Sequence, residues 1–188
     1  MGILSGSSTY TRLRVLDHTG NDWRDRVQDG IDRLRFVENL QARSSEPVCG
    51  WVKVDDIGRA PLVLNDWLWS NVAVMGIRVD GKRVNAKLLK VKVAEAVRQV
   101  MEAKGLERIG AQHRREIREA VEEDLLARAL PGVQSMDLAW DVESGDVLLF
   151  GRDLDTAQQL FHDTTGARLY PFRMVDWLAG PGGWTWED

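Results

Sequence analysis

The sequence predicts an α+β protein with mixed antiparallel sheets and a projecting two-helix arm. Three observations predict it. Period-2 and period-3.6 apolar patterns occur in one chain without strict alternation, which disfavours a doubly wound parallel sheet. Two long amphipathic helical patterns follow one another in the middle of the chain, broken at Gly105. The final third reads strand, strand, helix, strand. With 188 residues and 44% hydrophobic content, the chain can build one substantial core or two small sub-domains.

Thr9–Leu16 reads as a first strand, with Thr9, Thr11, Leu13 and Val15 on one face. Asn21 is the expected N-cap of a helix carrying Trp23, Val27, Ile31 and Leu34, with Gly30 inside it. Val48–Val54 reads as a second strand. Trp67–Val79 reads as one longer strand, with Trp67, Trp69, Ala73, Met75, Ile77 and Val79 in a single register and Asp80-Gly81 as its closing turn.

The first long helix is expected from Asn85 to Lys104, striped by Leu89, Val93, Val97, Val100 and Met101 and stopped by Gly105. The second runs from Gln112 to Leu130, with Ile117, Val121, Leu125 and Ala129 spaced by four, and Pro131-Gly132 closes it. Ser135–Val142 and Asp146–Phe150 form a hairpin across Glu143-Ser144-Gly145. Asp153 or Asp155 caps a short helix with Leu154, Ala157, Leu160 and Phe161, which ends at Thr165-Gly166. Ala167–Phe172 is the last strand. The expected divisions are residues 1–80 (sheet plus helix), 81–134 (two-helix arm), 135–175 (a second small sheet-and-helix layer) and 176–188 (a Gly/Pro/Trp tail).

The formal net charge is −4, yet Lys82–Arg118 holds eleven Lys or Arg residues. Positive charge is therefore segregated, and segregation marks a face suited to an anion. Cys49 is the only cysteine, so no internal disulfide forms, which fits a reducing cytoplasm. No run has the apolar length of a membrane span, and Met1–Ser8 does not read as a secretory signal. Most of the eight tryptophans suit a core. Trp184 and Trp186, in the Gly/Pro-rich tail, are instead expected to contact a protein partner.

Enzyme signals are poor. His18, His113 and His162 have no neighbour at metal-ligand spacing, and phosphate loops, dinucleotide fingerprints and nucleophile elbows are missing from the sequence. No catalytic residue, metal or cofactor is expected. One pattern, Asp66 with Asp80-Gly81-Lys82, has the carboxylates and lysine of a Mg²⁺-dependent nuclease, although Asp-Gly-Lys is also ordinary strand-end chemistry. The basic stretch is more specific. Lys87, Lys90 and Arg98 lie away from the first helix's apolar stripe, and Lys82, Arg83 and Lys92 add charge nearby. Arg114, Arg115 and Arg118 crowd the start of the second helix, against its macrodipole, a placement more easily tolerated beside an external phosphate. The bland alternative is a solvated face laced by the i,i+4 pairs Arg115–Glu119 and Arg118–Glu122.

The order of motifs resembles the N-terminal part of the recombination-associated protein RdgC family over nearly the whole chain. The similarity starts with Tyr10-Thr11-Arg12-Leu13 and continues with Cys49-Gly50-Trp51-Val52, which looks like that family's Gly-Trp-Val segment. The Lys-rich helix from Lys87 follows, then Leu125-Leu126-Ala127-Arg128-Ala129-Leu130, similar to Leu-Leu-Pro-Arg-Ala-Phe. Ala139-Trp140-Asp141, Gly145-Asp146-Val147-Leu148, Thr156–Thr165 and Asp176-Trp177-Leu178 complete the order. The resemblance implies an RdgC-like fold and a cytoplasmic, nucleoid-associated homodimer. It implies a non-enzymatic protein that binds double-stranded DNA without sequence preference and modulates recombination. The phosphate contacts would then fall to Lys82, Arg83, Lys87, Lys90, Lys92, Arg98, Arg114, Arg115 and Arg118. The alternative is a protein-interaction module that kept the fold without the DNA role; a Mg²⁺-dependent nuclease comes third.

Overall fold

The computed structural model describes residues 2–4, 9–16, 20–40 and 44–172. The expectations for Trp184, Trp186, the 176–188 tail and His18 lie outside them. The chain runs β1 (Thr11–Val15), α1 (Trp23–Arg33), β2 (Val48–Val52), α2 (Leu64–Trp67), β3 (Leu68–Trp69), β4 (Val72–Gly81), α3 (Ala86–Lys104), α4 (Ala111–Arg128), β5 (Gly132–Asp141), β6 (Asp146–Phe150), α5 (Leu154–Thr165) and β7 (Leu169–Pro171). The protein is α+β. Two compact units divide it. One takes its described residues from Met1–Val37, Cys49–Arg78 and Gln134–Asp188, the other from Glu38–Val48 and Val79–Val133.

The expected two sheets are one. A seven-stranded sheet has the order β2-β4-β5-β6-β1-β7, with β3 paired to β4 off this path. β1 inserts antiparallel between β6 and β7, pairing Leu13 with Val147 on one side and Pro171 on the other. The reason lies in β1 itself. Leu13 and Val15 are apolar at alternate positions and buried, and a strand with one buried face is stabilised by cross-strand partners on both edges.

In the first unit, the register sets Leu13, Val147, Leu149, Leu138 and Trp140 on one sheet face. Trp140 meets Trp23 of α1 (ring centroids 5.8 Å apart) and Phe161 of α5 (5.2 Å), so both helices cover that face. Two further indoles are tied as well as packed. Trp51 Nε1 donates to Thr164 Oγ1 at 2.7 Å, and Trp67 Nε1 to Gln28 Oε1 at 2.8 Å. Two glycines permit close approach. A Cβ on Gly30 would lie 2.5 Å from the Thr164 carbonyl oxygen, and one on Gly50 2.5 Å from the Phe36 backbone. Gly30, which weakens a helix in isolation, is thus where α1 meets α5.

The opposite face carries Arg12, Arg14, Asp146, Leu148, Ala139 and Asp137. Its centre is closed by Val74, Ala139 and Phe150, with Ile3, Val54 and Leu148 packed against them. Asp137 is buried there and accepts the Ile3 N–H at 2.7 Å.

Three local expectations are corrected. The N-cap of α1 is Asp22, not Asn21, and it makes no side-chain cap bond. Trp67–Val79 is not one strand: α2 ends at Trp67, and a hairpin turns at Ser70, which takes φ 58°. Trp67 is accordingly buried and Trp69 is 55% exposed. Asp80-Gly81 is no turn either; both residues belong to β4, with Asp80 buried.

In the second unit, α3 has the expected bounds. The Asn85 side chain accepts from Lys87 N and Leu88 N at 2.9 and 3.2 Å, and Gly105 closes the helix in the left-handed region at φ 60°. α3 packs on α4. On these helices Leu89, Val97 and Leu126 are buried, while Val93, Val100, Ile117, Val121 and Leu125 are half-buried.

Candidate nucleic-acid interface

The nine cations singled out from the sequence all belong to the second unit, but they are not equivalent. Lys82 is 4% exposed. Its Nζ donates to the Leu40 carbonyl at 2.6 Å and to the Leu126 carbonyl at 3.2 Å. Leu126 lies in the last turn of α4, where carbonyls run out of i+4 donors and the macrodipole is negative; the Ala129 cap N–H reaches the same carbonyl at 3.2 Å. Lys82 is therefore a built-in cap for that helix end, not a side chain offered to solvent.

The other eight are exposed. Two are neutralised locally. Lys92 pairs with Glu95 at 2.9 Å, and Arg115 with Glu119 at 3.1 Å. The Lys92 ammonium, by hydrogen bond first and charge second, holds the Glu95 carboxyl below its ordinary value. Arg98 returns its Nε to the Ala94 carbonyl of its own helix at 3.4 Å. Among the described residues, Arg83, Lys87, Lys90, Arg114 and Arg118 form no ion pair. The i,i+4 pairing expected between Arg118 and Glu122 is absent there, although the equivalent Arg128–Asp124 pair forms at 2.9 Å.

The start of α4 sharpens this. Its N-cap is Gly110, with no side-chain cap bond, and its first turn holds no acidic residue. Its free N–H groups, its positive dipole end, Arg114 and the nearby Arg118 thus add in one sense. Such an end is chemically suited to phosphate oxygens.

The carboxylates of the nuclease pattern are engaged otherwise. Asp66 accepts the Val63 N–H at 3.1 Å, closing the first turn of α2, and lies 3.6 Å from Lys53 Nζ and 3.4 Å from Arg59 Nη2. Its carboxyl is held below its ordinary value, first by that N–H and then by the two cations. Among the described residues no group of three or more His, Cys, Asp or Glu side chains could hold a metal ion. The Cys49 thiol is pushed up, first by partial burial and then by Asp153 and Asp163, which disfavours the thiolate. His162 Nδ1 lies 3.3 Å from the Ala167 carbonyl, and His113 lies 3.8 Å from Glu116 on an exposed helix face. No helix among the described residues is long and apolar enough to cross a membrane.

Sequence reasoning located the cationic stretch but could not separate a buried cap from a solvated cation. The sole available signal was position. Lys82 directly follows a strand pattern, where alternation makes one residue in two face inward. Compared with known proteins, the sequence matches no family model and no curated relative.

Proposed function

We propose that this protein binds double-stranded DNA without sequence preference, through phosphate contacts from α3 and α4. The carrying observation is the set of exposed, unpaired cations Arg83, Lys87, Lys90, Arg114 and Arg118 in a protein of net charge −4. Unpaired Lys and Arg displace condensed counterions from a duplex, which supplies affinity without reading bases. Arg98 joins this set, Lys92 and Arg115 contribute weakly because their carboxylate partners travel with them, and Lys82 is left out. The resemblance to the RdgC family supports the same reading and extends it to a nucleoid-associated homodimer that modulates recombination by limiting access to DNA. The test is fluorescence anisotropy with duplexes of unrelated sequence at several salt concentrations. Equal affinity across sequences and a steep loss with salt are expected; affinity independent of salt overturns the reading.

A protein-interaction module is the second reading, favoured by Leu88 (46% exposed) and Val91 (53%) on α3 and Leu106 (44%) just beyond it. Light scattering after size exclusion separates the two. Self-association that strengthens with salt, together with no DNA binding, favours the module.

A further inference from the structure

A cavity of about 460 Å³ lies against α5, lined by Asp155, Gln158, Gln159, His162, Arg168 and Leu169. Its volume falls in the range of small-ligand sites. The first four residues are spaced i, i+3, i+4 and i+7, so they form one stripe of the helix, about 10.5 Å long. The hydrogen bonds already made along the stripe decide what it has left to offer. Gln158 Nε2 donates to the Leu169 carbonyl at 3.2 Å, and Gln159 Nε2 to Asp163 Oδ1 at 2.8 Å. Carbonyls and carboxylates only accept, so both amides are held by their nitrogens and keep their Oε1 atoms as acceptors. His162 Nδ1 lies 3.3 Å from the Ala167 carbonyl, which likewise requires the N–H on that nitrogen. The neutral ring then presents Nε2, an acceptor. Asp155 forms no ion pair or side-chain hydrogen bond among the described residues.

The stripe is thus a row of acceptors with a carboxylate at one end. α5 carries Asp155 and Asp163 and no lysine or arginine. Arg168, the one cation of the lining, has a partner of its own. Asp155 and His162 stand about two turns apart, so the row does not close around a point charge. It fits N–H donors spread along a chain, and charged donors bind such acceptors best. Leu169, the apolar member of the lining, suits the methylenes between those donors. We infer that this cleft binds a linear polyamine, with an ammonium on Asp155 and further N–H groups on Gln158 Oε1, Gln159 Oε1 and His162 Nε2. The site belongs to the first unit and does not depend on the duplex reading.

The test is isothermal titration calorimetry of the full chain with spermidine, in the absence of nucleic acid. Saturable one-to-one binding is expected, and no binding by the parent overturns the site outright. Asp155→Asn should weaken binding about tenfold or more, because it removes a charge-assisted hydrogen bond. Gln159→Leu and His162→Phe should each weaken it as well; all three positions are exposed, so the fold tolerates the changes. Glu143→Gln removes one negative charge from the β5–β6 turn, keeps an acceptor for Asn71, and should leave affinity unchanged. Equal weakening by Glu143→Gln overturns the site, since binding would then follow net charge alone. Unchanged affinity in both Gln159→Leu and His162→Phe also overturns it, as does displacement of spermidine by an equal concentration of Mg²⁺, the mark of a point-charge site. n-Butylamine, which presents the single ammonium of a lysine side chain, should bind about tenfold or more weakly; affinity equal to that of spermidine overturns the choice of a polyamine.

Discussion

A single ammonium, on Lys82, serves two backbone carbonyls, that of Leu40 and that of Leu126, the second shared with the Ala129 N–H at 3.2 Å. Charged donors in such positions are worth more than neutral ones, and removing one takes a bond from each of its acceptors. Lys82→Met keeps the stem and removes the charge. It is expected to cost about 2 kcal/mol in urea unfolding and to leave duplex affinity unchanged for the folded fraction. Asp137 makes the opposite case. Burial pushes its carboxyl up, and the Ile3 N–H only partly offsets this. A carboxyl raised in the folded state contributes stability below its unfolded pKa and loses it as pH rises through the folded value. Asp137→Asn keeps an acceptor for Ile3 and abolishes the titration. The variant should therefore show a smaller fall in Tm as pH rises above the ordinary carboxylate range of about 4; an unchanged fall would count against this.

At the scale of elements, α1 and α5 meet through Gly30 and Thr164, with the Trp51 indole bonded to the same threonine. Gly30→Ala would gain about 1 kcal/mol of helix propensity on its own. The new methyl would strike the Thr164 backbone, and overpacking of this kind costs about 1–3 kcal/mol. A net loss in thermal melts is expected. What the sequence makes legible follows the same line. α3 could be read at both ends, because its cap is Asn85 and its stop is Gly105, both local signals. β6 was legible because alternation and the Gly145 turn agree. The hairpin at Ser70 was not, because Ser-Asn is a weak turn signal and Trp67 and Trp69 mimic one strand register although only Trp67 is buried. The candidate interface was legible as charge, since lysines and arginines announce themselves. Its division into a buried cap, two local ion pairs, Arg98 turned back on its own helix and five unpaired cations depends on contacts with residues such as Leu40, about forty positions from Lys82 along the chain.

At the scale of the whole molecule, duplex affinity should follow the unpaired cations rather than the net charge. Six phosphates neutralised, by the five unpaired cations and Arg98, predict a slope of log affinity against log salt near −5.4, about −0.9 for each. Lys87→Gln should reduce its steepness by about 1; Arg115→Gln, whose partner Glu119 already screens it, should change the slope less. Equal changes in the two variants would indicate that the pairing seen at Arg115 does not persist in solution.

The placement of β1 between β6 and β7 bears on how the molecule is made. Arg12 finds Asp146 across 134 positions of sequence, so the first strand has neither neighbour until almost all the described chain has emerged. Closing so long a loop before any contact rewards it slows folding relative to a helical hairpin. During synthesis the α3–α4 pair can assemble from local contacts while the N-terminal strand still waits, its apolar residues uncovered. A chaperone that shields the emerging N-terminus should raise the yield of this protein more than one acting on its helices.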